Sequence, residues 1–119
     1  MNRRLAVGLV GGVMAGAAFA QAPGTDDDVQ QGHRLAVIIC ANCHVAAPDQ
    51  PFAPILRPPA PSFEELAQRS SMSADFLRSF LTSTHRDISK PEGMANPQLL
   101  DFQIRQVSAY LLSLRKPRS

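Results

Sequence analysis

Apolar residues in this chain recur at helical rather than strand intervals. Leu100, Ile104, Val107, Leu111 and Leu114 fall at i, i+4, i+7, i+11 and i+14, one continuous helical stripe. Arg115 and Lys116 follow at its end, where the helix dipole favours cations. A second helix is predicted to start at Ser73, an N-cap candidate, with Phe76, Leu77, Phe80 and Leu81 on one face. A shorter helix is predicted after Ser62, where Glu65 completes a capping-box signature. The first helix is expected from about Asp28 to Ala41, with Val29, Gly32, Leu35, Ala36 and Ile39 sharing a face. Asp26, Asp27 and Asp28 suit its start, as caps and as negative charge at the positive end of the dipole. Prolines crowd the stretch from Pro48 to Pro61, so neither a helix nor a central strand can persist there. Pro91, Gly93 and Pro97 bound a second loop. No stretch alternates as a strand does, and no segment repeats. The pattern predicts an all-α domain of four helices joined by two irregular loops.

The N-terminus follows different rules. A basic start, Met1 to Arg4, precedes an apolar run through Phe19, and Ala18, Phe19 and Ala20 supply a small-x-small processing site. This is the layout of a secretory signal peptide over residues 1–20, with cleavage after Ala20 or, at the alternative site, after Ala22. The run is shorter than the roughly 18 residues a spanning helix needs; if retained, it would act as an anchor. Residues 21–27 then form a solvated leader and 28–119 the domain. The 119-residue chain has 12 basic and 10 acidic residues, and removal of Arg3 and Arg4 leaves the exported part near neutral. That balance gives no electrostatic footprint for nucleic acid. The exported part is short for a self-sufficient core, contains many prolines and has no Trp. These properties suggest that something besides side chains fills its interior.

Export gives the two cysteines an oxidising setting. Both lie in "CANCH", Cys40 to His44. A thioredoxin-like redox pair would need a βαβ context and would leave His44 without a role. A structural zinc site would need a paired second half, which the distant His33 and His85 do not form. A disulfide across two residues would close too short a loop to stabilise much. Covalent haem attachment uses all three residues: Cys40 and Cys43 are spaced for two thioethers, and His44 for an axial nitrogen on the iron.

Beyond this motif the chain resembles the small mono-haem class I cytochromes c of bacteria, over nearly all of the exported part. The family carries a Gly eight residues before the first Cys, where the first helix crosses the last; Gly32 has that spacing. Its crossing partner is an aromatic in a Tyr-Leu segment of the last helix, matched by Tyr110. The resemblance implies a second axial ligand from a late loop, and Met94 in "PEGMANP" precedes Tyr110 at the matching distance. Ala95 stands where the family often has a proline. Met72 and His85 are the other candidates for that position, and His33 reads as an exposed helix residue. The resemblance also implies that a proline carbonyl after the motif accepts a hydrogen bond from the axial histidine, and Pro61 is the candidate. Ala36 replaces an aromatic common in the family.

A class I cytochrome c-like fold is therefore expected, with four helices around one covalent haem c. The implied function is periplasmic one-electron transfer rather than enzymatic catalysis, with haem iron held by His44 and Met94. Redox proteins, periplasmic or in the membrane, would be donor and acceptor. The protein would be a monomer and not integral to the membrane once its signal is removed. Two alternatives stay open: a haem enzyme or gas sensor with an open sixth iron position, and a non-haem thiol-redox or zinc-binding protein.

Overall fold

A computed structural model describes residues 11, 12, 16, 24–83 and 93–118. Both expected cleavage positions, Ala20 and Ala22, lie outside these residues, as do His85 and nearly all of the expected signal segment. Among the described residues no helix is long and apolar enough to cross a membrane.

The described chain is all-α: α1 (Asp26–Leu35), α2 (Phe63–Ala67), α3 (Ala74–Thr82) and α4 (Asp101–Ser113). No strand forms among the described residues; a single parallel bridge joins His44 and Ala60. The first helix begins two residues before its expected start. Its cap is Thr25 rather than one of the aspartates: the Thr25 hydroxyl accepts from Asp28 N–H at 3.1 Å, and Asp28 accepts from Thr25 N–H at 3.4 Å. The reciprocal pair satisfies two amides that the first turn leaves without helical partners. Ser62 and Ser73 cap α2 and α3 as expected, accepting from Glu65 and Phe76 N–H at 3.1 Å each. The Glu65 carboxylate faces Arg69 at 3.7 Å rather than completing a box with Ser62.

Helix α1 does not stop at Leu35. It continues through a π-helical turn, Ala36–Cys40, where Ala41 N–H donates to the Ala36 carbonyl at 3.1 Å. The wider i→i+5 turn inserts one residue just ahead of the cysteines.

The fold is dominated by the crossing of α1 on α4, with α3 and α2 also packed on α4. Gly32 makes the crossing possible. A Cβ at this position would overlap the Gln106 carbonyl and stand 2.8 Å from the Tyr110 Cβ. Gly24 plays a similar part at the edge, where a Cβ would overlap that of Ala109. Ile104, Val107, Tyr110 and Leu111 of α4 are buried. The ends of the predicted stripe are not: Leu100 is the exposed N-cap and Leu114 the half-buried C-cap. In α3 only Leu77 is buried; Phe76 is exposed and stacks on Phe80, ring centres 5.8 Å apart.

The core is thin. Five of its members are alanines, at positions 36, 41, 46, 47 and 67, while Ile38, Ile55 and Leu100 are at least 60 % exposed. Alanine removes little apolar area from water, so the side chains alone supply a modest hydrophobic term.

Candidate functional site

The π-helical turn delivers Cys40 to the end of the first helix, and the chain then coils back on it. Cys43 and His44 N–H both donate to the Cys40 carbonyl, at 3.1 and 2.9 Å. Both thiols are free; Cys40 is half-buried and Cys43 exposed. Burial, with the nearby Cys43, pushes the Cys40 thiol up to about 11. Cys40 is therefore held as the protonated thiol at neutral pH, the less nucleophilic form.

The proline-rich loop folds back along the motif by backbone hydrogen bonds. Ile55 and Leu56 N–H both donate to the Asn42 carbonyl, at 2.8 and 3.2 Å. Ala60 N–H donates to the Cys43 carbonyl at 2.8 Å, and Phe63 N–H to that of Val45 at 3.0 Å. Pro61 lies between the last two donors, which hold its carbonyl in register with His44. His44 Nδ1–H donates to the Pro61 carbonyl at 2.6 Å. A carbonyl only accepts, so Nδ1 carries a proton, and the tautomer this bond selects has its lone pair on Nε2. The ring also meets Phe63 edge-on, centres 5.6 Å apart.

Three contacts that the sequence did not announce brace this turn. Gln50 accepts from Ala46 and Ala47 N–H, at 2.7 and 3.2 Å, and donates to the Phe52 carbonyl at 2.8 Å. The buried Tyr110 hydroxyl donates to the Ala46 carbonyl at 2.9 Å. Burial first, and the Asp49 charge second, raise the Tyr110 hydroxyl above the ordinary tyrosine value, keeping it a donor. His33 is not simply exposed: it is half-buried, its Nε2 lies 2.7 Å from the Asp49 carboxylate, and its ring meets Tyr110 edge-on at 5.2 Å. The His33 hydrogen bond is the main cause of the lowered Asp49 carboxyl. Neither Gln50 nor the His33–Asp49 pair has a periodicity or motif that would reveal it in advance.

The structure thus joins Cys40, Cys43, His44 and Pro61 in one turn-and-loop unit. Met94 is half-buried on the segment leading into α4. That segment is tied to the end of α3, where Asn96 donates to the Thr82 carbonyl at 3.5 Å. Met72 is buried among core residues, and its backbone carbonyl accepts from Arg115. Among the described residues no three His, Cys, Asp or Glu side chains converge as a metal site built by the protein alone.

The fold and site define an all-α domain with a Cys-x-x-Cys-His turn at the end of its first helix. Searches of family models, curated proteins and solved structures find no match to the chain.

Proposed function

We propose that this chain is an exported, periplasmic electron-transfer protein of class I cytochrome c type, carrying one covalently attached haem c. The single observation that carries this reading is the His44–Pro61 hydrogen bond within the Cys-x-x-Cys-His turn, which leaves Nε2 as the free nitrogen. Cys40 and Cys43 would supply the thioether sulfurs, and His44 Nε2 and the Met94 sulfur would hold the iron. The bound haem supplies a one-electron iron couple, whose potential Met/His ligation raises.

The protein's own residues perform the remaining tasks. Pro61 fixes the tautomer of His44 and would strengthen it as a ligand by accepting the hydrogen bond from Nδ1–H. The Gly32–Tyr110 crossing holds the helix that carries Cys40. The alanine-rich core, beside exposed Phe52, Ile55 and Leu56 on the proline-rich loop, fits a domain completed by a large apolar group. With His44 and Met94 both holding the iron, substrates would be excluded from it, and the protein would act as a carrier rather than an enzyme. Redox proteins then serve as donor and acceptor through a small, transient contact.

The test is a pyridine haemochrome spectrum of the protein expressed with its own leader in a host that attaches c-type haem. A c-type spectrum that stays with the chain on a denaturing gel is expected. A protein without haem, or with haem lost on denaturation, overturns the assignment.

A further inference from the structure

The residue that organises the turn behind His44 is Gln50, half-buried and six positions later in the chain. Its amide is used at both ends. The oxygen accepts from Ala46 and Ala47 N–H, at 2.7 and 3.2 Å. The nitrogen donates to the Phe52 carbonyl at 2.8 Å and lies 3.5 Å from that of His44. Two of these groups belong to the peptide planes directly following His44. The His44 carbonyl lies in the 44–45 plane and Ala46 N–H in the 45–46 plane. The Val45 carbonyl, on the other side of the 45–46 plane, accepts from Phe63 N–H at 3.0 Å. Phe63 is two residues beyond Pro61, whose carbonyl accepts from His44 Nδ1–H at 2.6 Å. The restraints therefore close a ring, from Gln50 to the 45–46 peptide, to Phe63, to Pro61 and back to the His44 imidazole.

We propose that Gln50 is a positioning residue for His44, holding the peptide planes that keep its imidazole donating to Pro61; this rests on the reading of His44 as an iron ligand. The chemistry of the amide suits the task. A carboxylate offers no donor for the carbonyls of Phe52 and His44, and an apolar side chain offers neither donor nor acceptor. Gln50→Glu therefore removes the donor half alone, and Gln50→Met removes both halves.

The experiment uses the haem-loaded protein, reduced and diamagnetic, with the solvent exchange of the His44 Nδ1 proton followed by NMR. The backbone amides of Ile104 and Val107 in α4 serve as internal references for global opening. In Gln50→Met the His44 proton should exchange at least about tenfold faster, with the α4 amides unchanged. The midpoint potential should rise, because a weaker Nδ1 hydrogen bond makes the imidazole a poorer donor to Fe(III). Gln50→Glu, which keeps the acceptor half, should give a smaller acceleration, and it replaces Gln50→Met as the test if that variant does not accumulate. An unchanged His44 exchange rate, or one accelerated in step with the α4 amides, overturns the positioning role. Absence of a haemochrome in the wild-type protein instead overturns the functional reading on which this inference rests.

Discussion

At the scale of single residues, two positions carry sharply testable roles. Gly32 leaves no room for a methyl group, because the obstruction is the Gln106 backbone and not a side chain that could swing away. Gly32→Ala should therefore destabilise the protein by about 2–3 kcal/mol, read from urea unfolding. A loss below about 0.5 kcal/mol would mean that the helices are free to separate. Met94 is the residue on which the proposed ligand set depends. In the haem-loaded protein, Met94→Ala should open the sixth position, lower the midpoint potential and allow carbon monoxide to bind the reduced form rapidly. If wild type already binds carbon monoxide as fast as the variant, Met94 is not a ligand and the open-site alternative takes its place.

Among the elements, polar side chains add to the buried apolar contacts that hold α2 against the end of α4. The Arg115 guanidinium donates to the Ala67 carbonyl at 3.1 Å and to the Met72 carbonyl at 2.5 Å. Gln68 donates to the Leu114 carbonyl at 3.0 Å and accepts from Lys116 N–H at 3.1 Å. Lys116 also pairs with Glu64 at 2.8 Å, which lowers the Glu64 carboxyl and raises the Lys116 amine. The sequence suggests only a favourable dipole interaction for Arg115, yet its partners belong to other segments. Arg115→Ala should cost about 1–2 kcal/mol in thermal or urea unfolding, because it leaves two carbonyls without a charged donor. Lys116→Ala removes an exposed, solvent-screened pair and should destabilise the protein much less than Arg115→Ala does. Equal effects of the two substitutions would contradict the bracing role given to Arg115.

At the scale of the whole molecule, the loop after the motif is joined to α1 through a titratable contact. Hydrogen bonding from His33 holds the Asp49 carboxyl below its ordinary value. A carboxyl depressed on folding contributes stability above its unfolded-state value, and that contribution is lost as the pH falls through the depressed folded-state value. Wild type should accordingly resist urea better than Asp49→Asn at about pH 7, with the gap closing toward about pH 3. A gap independent of pH would show that the pair acts only as a neutral hydrogen bond.

Periodicity and end signals suffice for the four helices, because a buried stripe and its caps are local patterns. Both fail where the structure departs from a regular α-helix. Apolar spacing cannot distinguish the π-helical turn at Ala36–Cys40 from another α-turn, since the difference is one residue in the hydrogen-bond ladder. The aspartates at the start of α1 mask the cap at Thr25, because charge and capping favour the same neighbouring positions. Phe76 belongs to the predicted apolar face of α3 but remains exposed, since only packing decides which part of a broad apolar arc is covered.

Local spacing along the chain is enough for the all-α class, the order of the helices and the grouping of Cys40, Cys43 and His44, because each depends on residues a few positions apart. The resemblance pointed to Gly32 and Pro61, but it took the packed fold to bring Gly32 against the Gln106 backbone, to single out the Pro61 carbonyl as the acceptor from His44 and to place Gln50 as the brace of the intervening turn. Those relations connect residues whose spacing follows no period. They are set by how a proline-rich chain, with few amides able to pair along it, directs its remaining donors and acceptors back onto the motif.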